Sequence, residues 1–241
     1  MTVDVADVAA LIDAFVRWLD ALSESGPLRS LAIRTEVEQR LHHVLPDASP
    51  ADRGRLVRQV YDAGALFCDE PHVSLLGARL SRVDLAGCSL PRSCFAGAAM
   101  RAARLEGTDL SGADLSGAVM ITAQLSGAKL FGADASEAEL AGAILVRVAA
   151  TDVDLRGANL VKATLEGADL ARAHLGGANL LGCHAERATL TSATLTGTNL
   201  LWADLTDAVL DGTDLHGAVC NEHTRWPEGF DATGAGIILI D

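Results

Sequence analysis

The sequence has few aromatic side chains for its hydrophobic content. Of its 241 residues, 49% are hydrophobic but only 4% are aromatic, with one Tyr, three Trp and five Phe. An ordinary mixed globular core is therefore disfavoured, since large rings supply much of the buried volume in such cores. The composition favours a core that is built from many small, repeated layers.

Positive charge is also scarce. The chain has 32 acidic residues against 19 Lys and Arg, which gives a formal net charge of −13. We expect no direct binding of nucleic acid, because such binding ordinarily uses a basic surface. Basic proteins or DNA-binding proteins remain suitable partners for an acidic surface.

Signals for export and membrane insertion are absent from the sequence as well. The first amphipathic stretch carries Asp4, Asp7 and Asp13 and lacks the basic start of a secretory signal. No run of about 18 apolar residues is present. The five cysteines are odd in number and show no CxxC spacing, which indicates a reducing compartment. We therefore expect a cytoplasmic protein that does not bind membranes.

A repeat of five residues runs without a break from residue 78 to residue 220. Two positions before each multiple of five stands a small residue, and two positions after it Gly is commonest, so the consensus is A-[D/N/x]-L-x-G. The multiples of five are Leu, Met or Phe with four exceptions, which are Ala135, Ala150, Ala185 and Cys220.

This period fits neither a helix, at 3.6 residues, nor a flat strand, at 2.0. It does fit a short extended segment followed by a corner, with the small residue and the Leu pointing inward and Gly at the turn. We therefore expect every multiple of five from 80 to 215 to be buried, together with the residue two before it. Where Ala135 and Ala150 leave space and Val148 and Val153 add bulk, we expect a local narrowing or bend rather than a void.

These repeats resemble those of the pentapeptide-repeat family over residues 78–220. The resemblance implies a mainly β fold, a right-handed, four-sided parallel β-helix with twenty residues per coil. The domain at 73–220 then holds about seven coils, stacked at the usual strand spacing of roughly 4.8 Å.

The two ends of the chain lie outside the repeat. Residues 1–72 carry apolar residues at helical spacing and predict an α-helical N-terminal domain that packs on the coils near Leu80–Leu90. Residues 221–241 resemble the closing segment of bacterial members of the family and predict a capping tail. Trp226, Phe230 and residues 237–240 are suited to cover the last coil, whose bare edge would promote aggregation.

Candidate catalytic and metal-binding groups do not converge in this sequence. His174 and His184 are ten residues apart and therefore fall on opposite faces of a twenty-residue coil. Cys94 points outward with no base placed beside it, whereas Cys88, Cys183 and Cys220 occupy inward positions and act as small apolar residues. No phosphate-binding glycine loop occurs. We expect no enzyme activity, no metal and no cofactor.

One outward column of the predicted solenoid is apolar. This apolar column stacks at twenty-residue spacing beside an amide ladder of Asn residues, whose side chains can hydrogen-bond along the stack. The apolar column is not required to fold the coil. It predicts an association surface, most simply for a symmetric homodimer with the amides as polar rim, unless the helical domain or the tail covers it. The column is Ile121, Ala141, Val161, Leu181 and Leu201, extended by Trp202, and the ladder is Asn159, Asn179 and Asn199.

A column of carboxylates, Asp114, Asp134 and Asp154, stacks on another face. Two interpretations stay open at this stage. Asp is common at this position of the repeat, so the column can be a product of the consensus alone. Alternatively, like charges about 4.8 Å apart are mildly destabilising and persist because a partner binds them.

Three functions are compatible with these features. The first is a non-enzymatic protein–protein interaction module that presents rigid faces. The second is implied by the resemblance, since some members of the family are acidic DNA mimics that bind DNA gyrase and protect it from inhibitors. This chain departs from them in its helical domain, its uninterrupted coils and its lack of an amphipathic dimerising helix in the tail. The third is an accessory protein to an enzyme, with chemistry in residues 1–72.

Overall fold

The computed structural model of the protein describes residues 76–77 and 80–240. The predicted N-terminal helical domain, residues 1–72, lies outside the described residues, and so does its predicted docking on the first coils. Over the part that is described, no helix occurs that is long and apolar enough to cross a membrane.

Each five-residue repeat forms a short extended segment that pairs with the segment twenty residues further along. Leu85 N–H donates to the carbonyl oxygen of Arg104 at 2.8 Å, and Arg104 N–H donates to that of Val83 at 2.8 Å. Parallel bridges of this kind run from Asp84–Arg104 to Asn199–Val219. One bridge every five residues makes a parallel β solenoid with twenty residues and four sides per coil. Its handedness and the number of its coils stay predictions.

Two strands close the solenoid at its C-terminal end. β1 is Val219–Cys220 and β2 is Ile238–Leu239, and they pair in parallel with Val219 opposite Ile238. Among the described residues, only in these two segments do two consecutive residues form β-bridges. Elsewhere a turn interrupts the extended backbone every five residues, so the bridges are single.

Each corner is a β-turn whose third residue has a positive φ. Val83 N–H donates to the carbonyl oxygen of Leu80 at 3.1 Å, and Arg82 between them has a φ of 61°. The equivalent residue of every repeat from 82 to 217 also has a positive φ, and 13 of these residues are not glycine. Glycine is therefore favoured at the corner, as predicted, but the hydrogen-bonded turn holds other residues there too.

The interior is solid. Multiples of five are buried from Leu80 to Leu205 and again at Leu215, and Leu125 and Leu165 are 0% and 1% exposed. The residues two positions earlier are buried from Val83 to Ala208. The predicted register is thereby confirmed over these coils. It is wrong at Leu210 and Thr213, which are half-buried because the chain above them has left the repeat.

Buried hydroxyl groups at the small positions find partners in the coil below. Thr108 Oγ1 donates to the carbonyl oxygen of Leu85 at 2.8 Å, and Thr198 Oγ1 donates to that of Leu175 at 3.0 Å. The core therefore accepts Thr in place of Ala without an unsatisfied polar group.

The coil in which Ala135 and Ala150 replace large core residues keeps its backbone hydrogen bonds. Ala135 N–H donates to Asp154 O at 2.7 Å and Ala150 N–H donates to Asp169 O at 2.8 Å. Val148 and Val153 are fully buried. The parallel ladder is therefore continuous here, and the expected narrowing or bend stays a prediction.

The tail covers the last coil only in part. Trp226 stacks on Phe230 with ring centroids 5.0 Å apart, and both pack with Ile237 against the core. The packing of these three residues agrees with a cap, and the capping role of residues 221–241 stays a prediction. The end of the tail does not contribute to such a cover, since β2 pairs on one side alone and leaves its side chains outside. Exposed fractions there are 51% at Ile238, 65% at Leu239 and 40% at Ile240.

Candidate interaction surface

Asp and Asn residues at the position before the core residue cap the turn that follows them. In the amide ladder, Oδ1 of each Asn accepts the backbone N–H of the residue two positions on, at distances of 3.1 to 3.2 Å. The pairs formed in this way are Asn159–Val161, Asn179–Leu181 and Asn199–Leu201. The ladder and the apolar column therefore belong to the same corner and form one surface.

Hydrogen bonds along the stack join part of the predicted ladder. Asn199 Nδ2 donates to Asn179 Oδ1 at 3.0 Å, whereas Asn159 Nδ2 donates to Glu139 Oε2 at 2.8 Å. The amide oxygens are thus engaged inside the molecule. The ladder therefore offers mainly N–H donors to a partner. Hydrogen bonds to the preceding coil fix the position of the Asn159 and Asn199 side chains.

The apolar column is half-buried. Ile121, Val161, Leu181 and Leu201 are all of intermediate exposure, because residues twenty apart stack about 4.8 Å from each other. The column is therefore a shallow, continuous apolar strip rather than a row of isolated exposed side chains.

Trp202 is the prominent side chain at the upper end of this strip. It is 56% exposed, and its φ of 61° is unusual for a bulky residue. The backbone N–H of Trp202 donates to Asn221 Oδ1 at 3.2 Å, and its indole ring stacks on the imidazole ring of His223 with centroids 3.9 Å apart. The indole is thus held in place. The five-residue repeat does not predict this support, because Asn221 and His223 lie beyond its last residue and their neighbours do not follow from its spacing.

The carboxylate column turns out to be a set of turn caps as well. Asp114 Oδ1 accepts the N–H and hydroxyl of Ser116 at 3.0 and 2.6 Å, and Asp134 and Ser136 repeat the arrangement. Asp154 Oδ1 accepts the backbone N–H of Arg156 at 3.1 Å, and Arg156 Nε also donates to it at 2.9 Å. This side-chain hydrogen bond lowers the pKa of Asp154 from its ordinary value.

Turn capping explains why Asp recurs in this column without invoking a partner. It leaves the charge itself unpaired at two positions, because Asp114 and Asp134 form no salt bridge with any residue that the structure describes. The recurrence of Asp in this column therefore follows from turn capping, and a partner for its charge stays a prediction.

The inward cysteines behave as core residues. Cys88, Cys183 and Cys220 are buried, as predicted. Burial, with the nearby charges of Glu186 and Asp204, raises the pKa of Cys183 to about 12, so its thiol stays protonated. Cys94 is half-exposed, with Sγ 3.8 Å from Asp114 Oδ2. Within residues 76–77 and 80–240, no group of three or more His, Cys, Asp or Glu is arranged to hold a metal ion.

A solid parallel β solenoid with capped turns and a rigid apolar strip defines the class of this protein, a repeat scaffold. The sequence profile described as pentapeptide repeats matches it in eight copies. The chain belongs to the pentapeptide-repeat family. The matched residues are 78–117, 98–134, 123–160, 151–184 and 186–219.

Several solved structures resemble the chain. A trypsin-treated variant of QnrB1, a plasmid-mediated fluoroquinolone resistance protein, is 22% identical over 70% of this chain and 90% of its own, with a TM-score of 0.49. The pentapeptide repeat protein alr5209 from Nostoc PCC 7120 is 38% identical over 44% of this chain and 84% of its own, with a TM-score of 0.28. HetL, a pentapeptide repeat protein involved in heterocyst differentiation regulation in Nostoc sp. strain PCC 7120, is 24% identical over 76% and 91%, with a TM-score of 0.37. No curated protein matches the chain.

Proposed function

We propose that this protein is a non-enzymatic interaction module that binds another protein through the apolar column and Trp202. The observation that supports this most directly is the exposed Trp202 ring, stacked on His223 at the end of a continuous apolar strip. Rigid aromatic side chains beside apolar area are typical of the residues that dominate protein interfaces.

The closed interior supports the same proposal. Buried side chains, mostly Leu and Ala, fill the coils between Leu80 and Leu205, so a partner can contact these coils only on their outer faces. Of these faces, the one with Leu181, Leu201 and Trp202 combines apolar area with fixed amide donors. The accessory-enzyme hypothesis depends on residues 1–72, outside the described part, and stays a prediction.

Leu181→Glu combined with Leu201→Glu should abolish association. Both side chains point outward, so two charges there leave the Leu/Ala interior intact but make the strip too polar to bury. The simplest partner is a second copy, and sedimentation velocity should then show wild-type dimers and mutant monomers at the same concentration. Circular dichroism should show the same melting temperature for both.

Phe131→Glu is the matched control. Phe131 is also an exposed apolar residue, at 44%, but it lies on a different face. This variant should associate like the wild type. A wild-type chain that stays monomeric because its own residues cover the column would contradict the homodimer.

A second candidate is the acidic mimic of DNA that binds gyrase. The favouring observations are the net charge of −13 and the carboxylates of Asp114 and Asp134, which form no salt bridge with a residue that the structure describes. The test is DNA supercoiling by gyrase with a quinolone present, with and without the protein. Protection that is lost in Asp114→Asn combined with Asp134→Asn would support the candidate, because Asn keeps the turn cap and removes only the charge. No effect of the wild type would exclude it for that enzyme.

A further inference from the structure

We infer that the open edge of the last coil, residues 206–216, is a docking site for an extended basic segment of another protein, which adds to the solenoid as a parallel strand. This surface is separate from the apolar column and Trp202, so the inference goes beyond the proposed function and holds or fails independently of it. The kind of partner follows from unpaired backbone groups and from the direction of the ion pairs along the solenoid.

The tail leaves residues 206–216 without a coil above them. Along the last coil, the bridge positions Asp204 and Val219 are 15 residues apart. Their partners in the tail, Arg225 and Ile238, are only 13 residues apart, so the tail takes a shorter path across the end. No backbone hydrogen bond joins this edge to any described residue of the tail.

The upward-pointing backbone groups of this edge have no partner among the residues that the structure describes. One coil below, Leu190 N–H donates to the carbonyl oxygen of Val209 at 2.8 Å. Outward side chains of the edge are also exposed, whereas those one coil below it are mostly half-buried. A free edge of this kind is a template for an added strand. Its donors are the N–H groups of Leu210, Gly212 and Leu215, and its acceptors are the carbonyl oxygens of Ala208 and Thr213.

Ion pairs between coils run in one direction along this solenoid. In each such pair among the described residues, the carboxylate belongs to the coil nearer the N-terminus and the cation to the coil above it. Three positions of the repeat are used in this way, namely before the core residue, after it and at the corner. The pairs are Asp84–Arg104 at 2.8 Å, Asp109–Lys129 at 4.0 Å, Asp204–Arg225 at 3.0 Å, Glu166–Arg187, and Asp152–Arg172 at 2.6 Å.

The open edge carries carboxylates at the same three positions. They are Asp214 before a core residue, Asp211 after one and Asp207 at a corner. Residues 206–216 contain no Lys or Arg, and none of these three carboxylates forms a salt bridge with a residue that the structure describes. A strand that carries Lys or Arg in the next coil position would therefore form the same ion pairs that the solenoid forms between its own coils.

The same carboxylates disfavour the other available occupants. A second copy stacked end to end on this edge would bring its three Asp residues against those of the first copy. Residues 1–75 of the chain itself carry 12 acidic residues against 7 Arg and no Lys, so they do not supply the complementary charge. A basic segment is the occupant that both the hydrogen bonds and the charges fit.

A synthetic peptide of two repeats tests the inference on the full chain. Its inward residues are Ala and Leu as in the consensus, and it carries Arg at the positions above Asp211 and Asp214. Fluorescence anisotropy should show binding that weakens as the salt concentration rises, and replacing both Arg by Asp should abolish it. A peptide N-methylated at the Arg above Asp214 keeps its charge but cannot donate to Thr213 O, so its affinity should fall about tenfold.

Variants of the protein locate the binding surface. Asp207→Asn, Asp211→Asn and Asp214→Asn combined should weaken peptide binding by about tenfold or more, and Asn can keep the turn cap of Asp214. Asp114→Asn combined with Asp134→Asn is the matched control, because it removes charge from a side face where the next coil is in place. This control should bind the peptide like the wild type, and circular dichroism should show that both variants are folded.

Hydrogen exchange identifies the strand pairing. The amides of Leu210, Gly212 and Leu215 should exchange about tenfold or more slowly when the peptide is bound. Leu181→Glu combined with Leu201→Glu should leave this protection intact, because it alters only the surface of the proposed function.

Four results would overturn the inference. The first is no binding of the basic peptide. The second is equal binding of the N-methylated peptide with equal loss in the control variant, which would assign binding to general charge attraction. The third is protection of these amides without peptide that rises with protein concentration, which would assign the edge to a second copy. The fourth is such protection at every concentration, which would assign the edge to residues 1–75 of the same chain.

Discussion

Leu165→Asp should unfold several coils of the solenoid. Leu165 is 1% exposed, and its N–H donates to the carbonyl oxygen of His184 at 2.6 Å, so the new carboxylate would stand among Leu and Ala side chains with no water or cation. Burying an unpaired charge costs several kcal/mol or more, which is comparable to the 5–15 kcal/mol that stabilise an ordinary domain. Because each coil is stabilised by its two neighbours, the loss spreads along the solenoid.

Circular dichroism during thermal and denaturant unfolding measures this effect. Leu165→Met is the control, because Met100 and Met120 already occupy the same position of the repeat and are buried. A volume-conserving change of this kind should cost less than about 1.5 kcal/mol. A Leu165→Asp variant that melts like the wild type would refute the inward position of this residue.

Trp226→Ala should release the C-terminal coil from the rest of the solenoid. Trp226 packs against the core and stacks on Phe230, so its loss opens a gap over the last coil. Truncation of a fully buried Trp costs 3–5 kcal/mol, and for this half-buried residue we expect about 2–3 kcal/mol. Hydrogen exchange should accelerate most in residues 200–220, with little change below residue 160, since the tail touches only the upper end.

Trp202→Ala distinguishes the stabilising role of Trp226 from the binding role proposed for Trp202. Trp202 is 56% exposed, so its removal should change the free energy of unfolding by no more than about 0.5 kcal/mol in the monomer. Equal destabilisation by the two substitutions would mean that Trp226 is not a cap. The affinity for the partner should show the opposite order, with Trp202→Ala weakening association more than Trp226→Ala does.

The recurring polar residues and the exceptional ones have different origins in this fold. Asn and Asp recur before the core Leu because their side-chain oxygens cap the next turn, so their repetition reflects folding. Residues that the turn does not require, such as Trp202 and Lys162 at corners where glycine is favoured, are better candidates for function. In a repeat protein, departures from the consensus therefore carry more functional information than the consensus itself.

The sequence alone determined the solid core and its register. A period of five leaves one consistent set of inward positions, so the burial of residues such as Leu125 and Leu165 could be predicted without coordinates. The twenty-residue coil came from the resemblance to the family, and the bridges from Asp84 to Val219 agree with it. The cap of Trp226 and Phe230 could be predicted because an open coil needs apolar cover.

Only the tertiary structure decided how the surface is built. Oxygen atoms of the amide ladder prove to be used inside the molecule, which the spacing of the asparagines did not show. Leu210 loses its cover because the chain above it slips by one residue, with Asp204 bridging Arg225 rather than residue 224. The same departure from register brings His223 over Trp202. A strict repeat predicts what stacks on what, but where the repeat ends, contacts depend on the path of the whole chain.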